Sequence, residues 1–143
     1  MKRSFLFLIL LSFSTLGCAQ TNQFNQAKIT INNIELLVEY ADTKVLRQQG
    51  LMHRESMCEQ CGMLFKYDRV RQASMWMKNT FIALDIAFIK GDGTIAEIKQ
   101  LMPQDLTSVK SSNSVLYALE MNQGWFKKNK VQAGDKVEFI TSN

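Results

Sequence analysis

Gly50 to Asp85, GLMHRESMCEQCGMLFKYDRVRQASMWMKNTFIALD, holds the only histidine, two of the three cysteines, five of the eight methionines and one of the two tryptophans of this 143-residue chain. Within it, Gly62 to Tyr67 and Ser74 to Lys78 read as strands. Leu84 to Ile89 reads as a buried strand, because apolar side chains stand on both of its faces. Lys90-Gly91-Asp92-Gly93 follows; its Asp-Gly pair supplies the positive φ of a tight hairpin and predicts a partner strand over Thr94 to Leu101. On the other side, Asp42 or Thr43 can cap a short helix through Val45, Leu46 and Arg47 that stops at Gly50.

The flanks are strand and turn material. Lys28 to Asn32 and Ile34 to Tyr40 form a hairpin about Asn32-Asn33. Pro103 to Ser114 is polar and patternless, a surface loop long enough to have a function. Val115 to Met121 is a further strand, Gly124 to Asn129 at most a helical turn, and Val137 to Ile140 a closing strand after Gly134-Asp135. Many short strands with one or two short helices predict a mainly β, single-domain antiparallel sandwich or barrel. There are no internal repeats.

Composition limits the function classes. With 46% hydrophobic and 21% charged residues the chain is of ordinary globular type. Lys2 and Arg3, the apolar run Phe5 to Leu11 and the small residues Gly17, Cys18 and Ala19 have the order of a secretory signal over residues 1–19, and the run is too short to span a bilayer. Leu16-Gly17-Cys18 resembles a bacterial lipobox, with Thr15 where Leu is usual; cleavage before Cys18 would leave a lipidated N-terminus. The alternative is ordinary cleavage after Ala19. We prefer the lipoprotein, which gives Cys18 a role, makes 20–26 a polar tether, leaves 27–143 as the domain, and places the protein on the periplasmic side of a bacterial membrane. Without Lys2 and Arg3, 15 basic residues face 13 acidic ones, a formal charge of +2. No Lys/Arg stripe accompanies it, so nucleic acid is not an expected partner.

Arg47, Gly50-Leu51-Met52, Arg54, Gly62-Met63-Leu64-Phe65, Trp76-Met77-Lys78-Asn79-Thr80 and Leu84-Asp85 together resemble the signature of the domain of unknown function 192. The likeness continues through Asp92-Gly93-Thr94-Ile95, Leu119-Glu120, Asn122, Gly124 and Gly134-Asp135. It implies a compact β domain of jelly-roll-like sandwich type, often exported, and no assigned reaction. Ala83 stands where the family usually has Pro, and Cys58 and Cys61 fall in a loop where the family is not expected to carry cysteines.

Arg54, Trp76, Lys78, Asn79, Asp85 and Glu120 are the candidate ligand-binding set. Cationic and amide groups hold carboxylates and hydroxyls while an aromatic face covers ring atoms, which suits a small anionic or sugar-like molecule. The same residues could instead form internal ion pairs that hold loops. Cys58-Glu59-Gln60-Cys61 reads as a disulfide worth about 2 kcal/mol, as a thiol-disulfide redox pair, or, with His53 and neighbouring methionines, as soft ligands for copper or zinc. Only one such pair is present, whereas structural zinc needs four ligands. No catalytic motif is present: there is no Gly-x-Ser-x-Gly elbow, phosphate-cradling glycine loop or His-Glu-x-x-His. The expectation is a binding protein with no enzymatic role assigned and no resident cofactor.

Overall fold

The computed structural model describes residues 23–140. The signal segment, Cys18 and the first part of the expected tether lie outside the described residues.

Asn32 and Asn33, both at positive φ, turn β1 (Asn25–Ile31) into β2 (Ile34–Ala41). Short polar side chains tolerate this left-handed region, so the Asn-Asn pair sets the hairpin. The strand already includes Asn25 and Gln26, so the expected tether loses its last two residues to β1. Thr43 caps α1 (Lys44–Gln49), its hydroxyl accepting from the Leu46 N–H at 3.2 Å, and Gly50 ends it at φ 48°. From there the chain crosses to β3 (Gly62–Met75), which pairs parallel with β2. A parallel neighbour requires a crossover of a dozen or more residues, and α1 with the following loop supplies it.

Trp76 to Lys78 lies outside the strands, whereas Lys66 to Ser74 is continuous β structure interrupted by bulges. The expected break between Tyr67 and Ser74 is thus a bend within one strand. β4 (Leu84–Ile89) and β5 (Ile95–Leu101) form the hairpin read from Asp92-Gly93. β6 (Val109–Asn122) begins well inside the segment expected to be a loop; Ser111, buried, donates to the Asn113 carbonyl and accepts from the Ala73 N–H, which recruits a polar stretch to the sheet. The loop shrinks to 102–108. α2 (Trp125–Lys128) and β7 (Val137–Ile140) complete the chain.

The strands make one sheet in the order β5-β4-β6-β3-β2-β1-β7. Its two edges meet: Thr94 bridges Lys136, the Val137 N–H donates to the Gly93 carbonyl at 2.8 Å and the Ile95 N–H to the Asp135 carbonyl at 2.8 Å. The sheet is therefore a curled, partly closed barrel. The expected mainly β domain is present in its barrel form, as one curled and mostly antiparallel sheet, with β2 and β3 paired in parallel. β4 is buried along its whole length because both faces are covered. One face packs in the barrel interior with Ile29, Val38, Leu64, Leu119, Trp125 and Phe126; the other, which carries Leu84, Ile86 and Phe88, packs with Met63, Phe65, Met77 and Leu51 under α1 and the 76–82 segment.

Cys58 and Cys61 are disulfide-bonded. Asn122 Nδ2 donates to the Cys58 carbonyl at 2.8 Å, Trp125 Nε1 to Gln60 Oε1 at 3.1 Å, and Lys128 pairs with Glu59. The crosslinked turn thus rests on the end of β6 and on α2.

Two measurements follow from this architecture. A Cβ on Gly93, whose φ is 85°, would overlap the Val137 carbonyl oxygen, whereas Gly134, at φ 97°, has open space beside it. Denaturant unfolding of Gly93→Ala should show a loss of about 2–4 kcal/mol, from overlap and backbone strain together. Gly134→Ala should lose about 1 kcal/mol, from strain alone; equal losses would mean that closure does not depend on the close approach. Replacing Cys58 and Cys61 together by Ser should cost about 2 kcal/mol, as expected for so short a crosslinked loop.

Candidate functional site

A cavity of about 640 Å³ opens between α1 and the bent outer half of β3. Bulges bend a strand and re-aim its side chains. The register shift between Lys66 and Arg71 brings Tyr67, Arg69 and Arg71 to the same opening. Phe65, Leu51, Met52, Met75, Met77 and Trp76 supply apolar wall, Lys44 stands at the helix side, and Glu120 lines the cavity from β6.

Glu120 sets the electrostatics. In the sheet it is flanked by Met63 of β3 and Ile86 of β4, both fully buried. It is itself 4% exposed. Burial pushes its carboxyl up to about 8, because the charged form loses its hydration there. At neutral pH the floor of the cavity therefore presents a neutral carboxylic acid, able to donate one hydrogen bond. Tyr67, also raised by burial and by the Glu120 charge, keeps its hydroxyl proton and donates to Met75 Sδ at 3.4 Å. Arg71 lies over the Tyr67 ring at 6.0 Å, within cation–π range.

Arg47 builds the wall. Its guanidinium donates to the Asp42 and Lys66 carbonyls at 2.6 and 2.7 Å and to Asp68 at 2.9 Å, which ties α1 to β3. Three of its N–H donors are committed to the frame, and Lys44, Arg69 and Arg71 are the other cations that line the cavity.

Of the six residues expected to bind a ligand, the structure brings two to this cavity, Trp76 and Glu120. Lys78 Nζ sits 5.4 Å from the Trp76 ring centroid on the outer side of the same turn. Asn79 holds φ 53° and its carbonyl accepts from the His53 N–H at 2.7 Å, which makes it a turn residue. The Trp-Met-Lys-Asn-Thr string is thus a turn whose Met77 and Thr80 are buried and whose backbone also joins Asp105 and Gln104. Arg54 pairs with Glu39 at 2.6 Å and covers the Phe24 ring.

Asp85 faces the other way. It pairs across the sheet with Met121, and Glu120 pairs with Ile86; alternation puts the two acids on opposite faces. Asp85 Oδ2 accepts from the Gly124 N–H at 2.8 Å and fixes the turn into α2, while its Oδ1 is buried without a hydrogen bond.

His53 lies edge-on to Phe81, and no three His, Cys, Asp or Glu side chains among the described residues form a group able to hold a metal. The structure does not gather His53, Cys58 and Cys61 into a ligand set.

Tyr67, Arg69, Arg71 and Lys44 did not stand out in the sequence as site residues. Tyr67 was within reach, since it shares a strand face with Phe65. The two arginines join only because of the bulge, for which a polar run such as Asp68 to Gln72 gives no periodic signal.

Two solved structures are similar to the chain. One, from Sinorhizobium meliloti 1021, carries the provisional description of a transcription regulator; it is 35% identical, with a TM-score of 0.80, over 83% of this chain and 97% of that one. The other, a protein of unknown function from Novosphingobium aromaticivorans DSM 12444, is 28% identical, with a TM-score of 0.73, over 88% and 94% respectively. No curated protein matches the chain. The profile of DUF192, described as an uncharacterized ACR, matches residues 27–139, nearly the whole of the described domain. With the signature residues now placed in one curled sheet and in the helix and turns that cover it, the chain belongs to the DUF192 family.

Proposed function

We propose that this protein is an exported, lipid-anchored binding protein for a small organic anion with an apolar or ring-shaped body. The observation that carries the binding role is the cavity beside α1. Its volume falls within the ~300–1,000 Å³ range of small-molecule sites, and polar and apolar groups share its walls about equally. Trp76, half exposed, offers a face to a ring. Arg69, Arg71 and Lys44 offer charge to a carboxylate or similar group near the mouth, and Glu120 offers a proton to a hydroxyl or carbonyl oxygen at the floor. Export and anchoring rest on the order of charged, apolar and small residues through Ala19, with Cys18 at the lipobox position.

The reading is tested with a panel of sugar acids and aromatic carboxylates, followed by Trp76 emission and by calorimetry. Trp76→Ala and Arg71→Ala should each weaken binding of a hit about tenfold, or ~1.4 kcal/mol, with the Arg71 contribution shrinking as salt rises. Asp85→Ala should leave affinity unchanged while costing about 1–3 kcal/mol of stability, since it removes the acceptor of the Gly124 N–H. A panel without a hit, or a hit that ignores both cavity substitutions, would sink the assignment.

Glu120 makes a separate prediction about pH. Its folded value of about 8 stands above its ordinary 4.5, so between these values the folded chain binds more protons than the unfolded one. Stability is then complete below the unfolded value and declines as pH rises toward 8. Melting temperature should fall from about pH 5 to about pH 9, and Glu120→Gln should flatten that slope. An unaltered slope in the Gln variant would show that the carboxyl is hydrated.

A further inference from the structure

Four large apolar side chains stand open to solvent on two adjoining segments: Trp76, 52% exposed, and Phe81, 47%, on one; Met102, 56%, and Leu106, 66%, on the other. The segments are laced by backbone hydrogen bonds, from the Met77 N–H to the Asp105 carbonyl at 2.8 Å and from the Gln104 N–H to the Thr80 carbonyl at 3.0 Å. Their backbones are thereby held together. Other exposed apolar residues, such as Leu37 and Val70, sit singly on separate strands and are ordinary surface. The acid within the patch, Asp105, accepts from the Thr107 N–H at 2.7 Å. Lys78 lies over Trp76, an amphipathic pair of the kind found at bilayer interfaces, where a ring sits at headgroup depth and a lysine reaches back to water.

The chain also enters the domain at this end. Phe24 lies under Arg54; the adjacent His53 meets Phe81 edge-on, and its N–H is held by the Asn79 carbonyl. Contacts thus run from the first strand's approach to the patch without leaving one end of the barrel. Cys18 to Gln23 spans six residues, a reach of roughly 20 Å when extended. A domain of this size is about 35 Å across. A lipid on Cys18 therefore cannot let the domain turn its far end to the bilayer.

We infer that Trp76, Phe81, Met102 and Leu106 form a membrane-facing surface that seats in the headgroup layer when the protein is anchored through Cys18. The inference rests on the lipid-anchor reading. It also places the mouth of the cavity, of which Trp76 is a wall, at the bilayer surface.

The test uses the full processed chain, purified from membranes and reconstituted in phosphatidylethanolamine and phosphatidylglycerol vesicles whose acyl chains carry bromine. Intact mass reports the lipid on Cys18. Buried Trp125 serves as the internal control, and Trp76→Phe isolates its emission. We expect bromine to quench Trp76 at least about twofold more than Trp125, as for a ring at the interface. Phe81→Asp with Leu106→Asp should abolish the difference while Trp125 emission, which reports the fold, is unchanged. Lipidated protein with unquenched Trp76 overturns the inference alone and assigns the patch to a protein partner or a second copy. Absence of lipid on Cys18 overturns the inference and the anchor together.

Discussion

The structure depends on the contact between Gly93 and Val137. A curled sheet of seven strands ends in two edges with unpaired backbone groups, and here these edges meet through three hydrogen bonds in the region of Gly93, Ile95, Asp135 and Val137. Only a residue without a Cβ and free to hold φ 85° lets the two backbones approach so closely. Asn32 reinforces the junction by donating to Asp135 Oδ2 at 2.8 Å, tying the first hairpin to the closing turn. Closure removes part of the edge hazard that an open sheet carries.

Once the sheet is curled, its outer face needs a separate cover, and that need produces the cavity. The crossover that makes β3 parallel to β2 carries α1 and the following loop over one half of this face. The other half lies under the turn from Trp76 to Ile82. Where the two covers meet over the bent strand they leave space, and Glu120 lines it without a cation close enough to lower its pKa. An apolar residue at this position would pack better against Met63 and Ile86. Retaining a carboxyl there carries the desolvation cost of a buried acid, which is the kind of local conflict that functional sites contain.

The disulfide and Asp85 belong to the opposite side. The crosslinked turn, Asn122, Trp125 and Asp85 together organise the passage from β6 into α2. Residues that are close along the family signature thus divide into a structural group inside the barrel end and a cavity group outside it.

Much of this was legible in the chain. Asn32-Asn33, Thr43, Gly50 and Asp92-Gly93 act through the geometry of their own few residues, so their turns and caps were read where they occur. The mostly apolar run of β4 likewise announced burial on both faces. Local patterns could not show that β3 and β6 are long bulged strands, since Asp68 to Gln72 and Lys110 to Ser114 are polar and pair only because each has the other as neighbour. Nor could they show that β2 and β3 are parallel, that the sheet closes on itself, or that Asp85 and Glu120 point to opposite sides. Such relations depend on register between segments distant in sequence. The sequence by itself determined the turns, the caps, the short strands beside them and the composition of the core, because these act over a few neighbouring residues. Tertiary structure decided which groups meet, because a site is a set of distances across strands, and one residue of register transfers a side chain from one face to the other.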